Sequence, residues 1–365
     1  MVALILKKHL SLRFIMRMIR WHVRYYLAGR GSPVSAGVYL TTACNCRCIM
    51  CDIWREKAPQ TYPLQAQKQA LDALAKAGCY YYSVSGGEPT LVPDLCERLA
   101  YAAARIPYVH VVTNGLTMTA GLARDLANSG IREISISLDG SESIHNQLRG
   151  RPDAFAKAWQ ALELMRAHAP RVQVVVNSIL SPYTVGGLKE LNQLLRSQPG
   201  FCRKYLPLSF HQLFRTQGRT TLDSAMAPVS LEEMDAFIDM AQKDPRVVNS
   251  RIFLQKAKRY FKGIENVIND QKKCEYPYHA IEFDAQGRAY PCLTGCGAGN
   301  GIALGNDPVS SLKSPEYRRM QQSLESCDKC RGVMPLCYYE PRLNFPLHNL
   351  LKGRVSLSIK RAGPP

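Results

Sequence analysis

Between residues 36 and 245, short apolar runs rich in Val, Ile and Tyr alternate with longer stretches in which apolar positions recur every three to four residues. The runs predict strands over Gly37–Leu40, Tyr80–Ser85, Tyr108–Thr113, Glu133–Leu138, Val172–Ile179 and Tyr205–Leu213. The stretches between them predict helices over Leu64–Lys76, Asp94–Arg105, Ala120–Asn128, Ala154–His168 and Val185–Gln198, with Leu231–Gln242 after the last strand. Strand and helix in strict alternation make an α/β unit, because right-handed crossovers lay consecutive strands parallel in one sheet.

The ends of the chain break this pattern. From His9 to Leu27, Arg13, Arg17, Arg20 and Arg24 share one helical stripe, and Leu10, Phe14, Met18, Trp21 and Tyr25 occupy the neighbouring one. Residues 1–35 therefore read as a basic amphipathic segment and 246–273 as a basic helical connection. Residues 274–340 form a small cysteine-rich α+β unit: Ile281–Phe283 and Arg288–Pro291 flank a turn at Asp284–Gly287, a β-hairpin that would bring Cys274 towards Cys292. A basic tail, 341–365, follows.

Composition changes the picture in two places. The formal charge of +18 is concentrated at the termini, and 13 cysteines are many for a globular chain. Three of them, Cys44, Cys48 and Cys51, follow the first strand in a C-x3-C-x2-C spacing. Three thiolates on one loop can hold a four-iron, four-sulfur cluster with one iron left open, which is an arrangement for chemistry on a bound ligand. A structural zinc site is the alternative from spacing alone, but it would need a second nearby pair, and Cys79 and Cys96 stand singly. Cys46 lies inside the loop but outside the spacing.

This loop resembles the hallmark of the radical S-adenosylmethionine (SAM) superfamily, with Trp54 in the place of its trailing aromatic. Gly86-Gly87-Glu88-Pro89 at the end of the second strand resembles the loop that receives the SAM amino group in that family. Thr113-Asn114-Gly115, Ser135-Ile136-Ser137-Leu138-Asp139-Gly140 and His145 with Arg149-Gly150 are similar to further SAM-side motifs. The resemblance implies a partial (β/α)6 TIM-like barrel in which Cys44, Cys48 and Cys51 hold the catalytic [4Fe–4S] cluster. Trp54, Gly86, Gly87, Glu88, Pro89, Asn114, Ser137, Asp139 and Arg149 would then lie on the cofactor side. In the family, reductive cleavage of SAM gives a 5′-deoxyadenosyl radical that abstracts hydrogen from a substrate carbon. A reductase, flavodoxin or ferredoxin is the implied electron donor.

The later cysteines are similar to a twitch or SPASM module, the unit that follows many such barrels and holds auxiliary clusters. Cys274, Cys292, Cys327 and Cys330 are the ligands this implies for one auxiliary [4Fe–4S] cluster, with Cys296 and Cys337 as spare candidates. Zinc is the alternative for two cysteine pairs. Free thiolates in such number point to a reducing, cytoplasmic compartment.

Three substrate classes follow. The arginine stripe beside an apolar stripe suits the surface of an anionic membrane, hence a lipid or membrane-associated substrate and a peripheral location; the same helix could equally cover the barrel. The SPASM-like unit suits a maturase of a ribosomally made peptide, although about thirty-five residues before the first strand are few for a separate recognition domain. A tRNA-modifying enzyme ranks lower, since no nucleic-acid module is evident, and a non-enzymatic iron–sulfur carrier would need neither an open iron nor a SAM loop.

Overall fold

The computed structural model describes residues 12–28, 32–198, 200–208, 228–263, 274–305 and 307–327. Six parallel strands, β1 (Ser35–Thr41), β2 (Tyr81–Gly86), β3 (Tyr108–Thr113), β4 (Glu133–Ser137), β5 (Gln173–Leu180) and β6 (Cys202–Pro207), lie side by side in chain order. Helices α2 (Leu64–Ala77), α3 (Leu95–Ala103), α4 (Ala120–Asn128), α5 (Glu142–Arg149), α6 (Ala154–His168) and α7 (Val185–Arg196) return the chain between them; α1 (Leu12–Ala28) precedes β1, and α8 (Leu231–Lys243) and α9 (Arg251–Phe261) follow. The strand order has two ends, so the sheet is open. The strand read as reaching Leu213 stops at Pro207, and 209–227 lie outside the described residues.

The cysteine-rich unit continues this sheet. After α10 (Tyr276–His279), strand β7 (Ala280–Phe283) pairs in parallel with β1, and β8 (Ala289–Tyr290) pairs antiparallel with β7, giving the order β6-β5-β4-β3-β2-β1-β7-β8. The turn of the hairpin depends on Gly287 at φ +82°, where a Cβ would also strike the ring of buried Tyr62 at 2.5 Å. Short helices α11 (Leu293–Cys296), α12 (Pro308–Ser311) and α13 (Pro315–Ser323) complete the unit.

Alternation along the strands sorts the side chains to two faces. Ala36, Val38, Leu40, Tyr82, Val84, Val109, Val111, Ile134, Ile136, Val174 and Val176 belong to the main core beneath the helices. Their neighbours face the other way and are mostly polar: Ser83 pairs in register with His110, His110 with Glu133, Val112 with Ser135, and Ser137 with Asn177. At the centre of that face, His110 Nδ1 lies 2.6 Å from the Tyr81 hydroxyl and Nε2 lies 2.8 Å from Ser135 Oγ. Burial pushes the His110 pKa down to about 4, so at neutral pH the ring is an uncharged relay of hydrogen bonds.

Helix α1 packs on the fold through one of its two apolar stripes. Trp21 and Tyr25 join Val34, Tyr80, Tyr81, Tyr108 and Tyr278 in a satellite core; Trp21 Nε1 donates to the Tyr278 carbonyl (3.3 Å), and Arg17 donates to the Cys79 carbonyl (2.8 Å). Of the two readings the sequence left open for this stripe, a membrane face or a cover for the barrel, Trp21 and Tyr25 take the second. Met16, Ile19, Val23, Tyr26 and Leu27 are exposed. No described helix is long and apolar enough to cross a membrane. Trp21→Ala is expected to lower the unfolding free energy by about 3–5 kcal/mol. Leu27→Ser, at a position 82% exposed, should stay within ~0.5 kcal/mol. Urea denaturation of the two variants checks both values.

Candidate functional site

The loop after β1 is clamped by backbone from two sides. On one side, the amides of Gly87 and Glu88 donate to the carbonyls of Thr41 (2.7 Å) and Ala43 (2.8 Å). This approach leaves no room for side chains: a Cβ on Gly86, itself at φ +129°, would lie 2.5 Å from the Thr41 carbonyl, and one on Gly87 would lie 2.0 Å from that of Ala43. On the other side, the amides of Arg47 and Ile49 donate to the carbonyls of Arg149 and Leu148, both at 3.0 Å. Gly150, at φ +65°, caps α5 there with its Cα against the Arg47 carbonyl. Local sequence accounts for both clamps, since only glycine permits backbone to meet backbone this closely.

Between the clamps, Cys44, Cys46, Cys48 and Cys51 line a cavity of about 170 Å³ together with Gly86, Gly87, Glu88, Asn114, Ser137 and Arg149. Trp54 and Pro89 stand behind it. Trp54 Nε1 donates to the Cys48 carbonyl (3.2 Å) and so braces the cysteine loop, while buried Pro89 begins the turn after Glu88. None of the described cysteines is in a disulfide.

Glu88 is a buried structural anchor. Its carboxylate accepts from Thr90 N (3.1 Å) and Oγ1 (2.6 Å), Thr113 Oγ1 (2.7 Å) and Asn114 N (2.7 Å), fastening the loop after β2 to the end of β3. Burial raises its pKa, and these donors counter the shift. Asn114 Nδ2 in turn donates to Asn45 Oδ1 (2.7 Å) and lies 3.4 Å from Cys46 Sγ. Thr113, already marked by the Thr-Asn-Gly motif, carries this network with Thr90 and Asn45, which were not singled out from sequence.

Asp139 and Arg149 form the opposite wall. Asp139, fully buried, accepts from Arg149 Nε (2.7 Å) and from the Ile179 amide (3.0 Å), and its Oδ2 lies 3.2 Å from His145 Nδ1. Burial alone would raise its carboxyl, but Arg149 and His145 hold it well below the usual range. Arg149 Nη1 reaches to 3.9 Å from Cys48 Sγ. The Cys46 thiol and this guanidinium pull Cys48 down to about 6 against its burial, and the same contact pushes Cys46 up. Burial pushes Cys44 up to about 11 and also raises Cys51.

These residues fit an iron–sulfur cluster on the donor set itself. Three thiols in C-x3-C-x2-C spacing surround a cavity with a cation beside one of them, and binding would deprotonate the two raised thiols. In the C-terminal unit, Cys274, Cys292 and Leu324 pack together with Cys296 and Cys327 against them. The structure thus gathers three of the four residues expected for an auxiliary cluster and adds Cys296; Cys330 and Cys337 lie outside the described residues.

An open parallel sheet with a three-cysteine loop at the C-terminal end of its first strand defines a class. Residues 38–195 match the family model of the Radical SAM superfamily. Residues 38–195 are thus a radical SAM domain, the cysteine-rich unit after it fits a SPASM-like module, and the chain is an enzyme that uses SAM and a [4Fe–4S] cluster. It is 26% identical over 319 residues to mycofactocin maturase MftC of Mycobacterium ulcerans, covering 83% of each chain. It is 24% identical over 327 residues to an AdoMet-dependent heme synthase of Methanosarcina barkeri, covering 82% of this chain and 87% of that one. Streptococcus suis SuiB bound to its precursor peptide SuiA shares the fold, with a TM-score of 0.61, 16% identity, and 83% of this chain and 70% of SuiB aligned.

Proposed function

We propose that this radical SAM enzyme is a maturase of a ribosomally synthesised peptide. The observation that carries the reading is the similarity to a peptide maturase across 83% of both chains, through the barrel and into the cysteine-rich unit. The peptide bound to the similarly folded SuiB supports it. A lipid or membrane-associated substrate has no counterpart among these relatives, and the helix that suggested one packs on the fold through Trp21 and Tyr25.

Cys44, Cys48 and Cys51 would hold the catalytic cluster, and Cys274, Cys292 and Cys327 with Cys330 or Cys296 an auxiliary one. When bound, the cluster and SAM supply hydrogen abstraction from carbon. The chain's own residues do the placing. The amides of Gly87 and Glu88 are spent on the cysteine loop, and Ser85, Asn114, Ser137 and Arg149, which line the cavity, would face SAM. Buried Asp139 fixes the direction of Arg149, and Asn114 bridges the cysteine loop and β3.

The test is anaerobic incubation of the reconstituted protein with SAM, a one-electron reductant and candidate precursor peptides drawn from short open reading frames near its gene, followed by mass spectrometry. The expected result is a peptide whose mass changes in step with 5′-deoxyadenosine, and both products should vanish in Cys48→Ser. SAM cleavage with an unaltered peptide would overturn the peptide reading.

A further inference from the structure

The register of the sheet places three polar residues in one row. Ser137 on β4 pairs with Asn177 on β5, and Asn177 pairs with Lys204 on β6. Register partners in a parallel ladder point to the same face, so the row runs across the face of the sheet opposite the main core. Its first member lines the cysteine cavity. The other two line a second cavity of about 210 Å³ inside the barrel, and Ser85 and Val112 border both spaces.

Lys204 is 9% exposed. Among the described residues its ammonium has neither hydrogen bond nor salt bridge. Two buried carboxylates share its surroundings without a salt bridge to it: Glu133, whose carboxyl His110 and Lys204 hold down against its burial, accepts from the Tyr108 hydroxyl (2.6 Å), and Glu282, which lines the same cavity, accepts from the Leu293 amide (2.6 Å). Asn177 Oδ1 is buried without a partner. A buried ammonium without a hydrogen bond and a buried carbonyl with no donor are both costly, and a fold retains such a pair where a ligand completes it.

We propose that Lys204 and Asn177 form a subsite for a carboxylate of the substrate, Lys204 meeting the anion and Asn177 Oδ1 accepting a neighbouring N–H or O–H. The subsite rests on the reading of this chain as an enzyme with a substrate in its barrel; the peptide reading adds only where the carboxylate comes from. Because the row begins at the cysteine cavity, the subsite would hold the substrate's charged end away from the cluster and orient the carbon chain between.

The test uses 3-phenylpropionate and its neutral amide, titrated calorimetrically into reconstituted, SAM-loaded protein. The acid should bind at least about tenfold more tightly than the amide, a preference that Lys204→Gln should erase. Equal affinities, no binding of either compound, or a preference that survives in Lys204→Gln would each overturn the proposal. SAM carries a carboxylate too, so SAM affinity is measured in the same variant: a loss of about tenfold would assign the ammonium to SAM and also overturn it. An acid preference without any processed peptide would sink the peptide reading alone. Acid and amide binding equally to the wild type, with peptide processed by Lys204→Gln at the wild-type rate, would sink the subsite alone.

Discussion

Gly87→Ala is expected to strip the catalytic site of its cluster while leaving the sheet and helices folded. The added Cβ would sit 2.0 Å from the Ala43 carbonyl oxygen, 2.7 Å from its carbon and 3.0 Å from the Thr42 carbonyl carbon. All three are backbone atoms, so no side chain can swing aside. Either the Gly-Gly-Glu-Pro loop or the cysteine loop must retreat, and with it go the two hydrogen bonds to Thr41 and Ala43, each worth about 1 kcal/mol. The strain of an extra carbon in a packed site adds roughly 1–3 kcal/mol. A displacement of even ~1 Å at Cys44 spoils the geometry that ligation demands, so 5′-deoxyadenosine formation should fall at least about a hundredfold. Iron bound at this site should fall from about four per chain to a small fraction of that. Gly186→Ala is the control: nothing lies within 4 Å of its Cβ and it sits in the first turn of α7, so the variant should be neutral or more stable by ~0.4–1 kcal/mol. Iron assay, product chromatography and circular dichroism together decide the matter; a fully loaded, active Gly87→Ala would remove the clamp from the account of the site.

The barrel was legible because its strands and helices carry unambiguous periods. Helix α4 and strand β3 occupy the residues read from sequence, and Leu64, Ala154 and Val185 begin their helices where apolar spacing placed them. The continuation of the sheet into the cysteine-rich unit was not legible, because β7 is four residues long and a pairing between Ser35 and Ala280 leaves no local signal. The N-terminal helix was half legible. Its apolar stripe was seen, but periodicity cannot say whether a stripe meets protein or lipid, and the second stripe at Met16, Ile19 and Val23 confused the choice further.

In the candidate site, spacing revealed the cysteines and composition the glycine pair, but the strand partners stayed hidden. Asn177 was read as a member of a strand, whereas Lys204 fell one residue before the strand read from Tyr205, and only the register shows that both belong to the row of Ser137. The motif carboxylate Glu88 illustrates the converse. Its position was legible, whereas its four hydrogen bonds to Thr90, Thr113 and Asn114 belong to the tertiary structure. Glu88 and Asp139 hold the site from opposite walls by different means: one accepts from neutral donors and has a raised pKa, the other pairs with a cation and is held low.

That difference makes Asp139→Asn the more costly change of the two walls. An amide in this place keeps the shape but strands the Arg149 guanidinium, whose side chain is 14% exposed, without its counter-ion. Breaking a buried pair from one side costs about 3–5 kcal/mol, a large share of the ~5–15 kcal/mol that a domain has in all. The sign of the pH dependence follows from the lowered carboxyl. The stability Asp139 contributes is fully present above its unfolded value, near 3.9, and is lost only as pH falls through the lower folded value. The gap between wild type and Asp139→Asn should therefore stay constant from about pH 5 to pH 8 in urea denaturation and begin to close only in stronger acid. Asp139→Asn/Arg149→Met should recover part of the loss, because the penalty lies in the orphaned cation more than in the missing bond. A single variant within ~1 kcal/mol of wild type, or a double variant that costs the sum of the two singles, would mean that the two residues are not coupled and that Arg149 is held in place by its other neighbours.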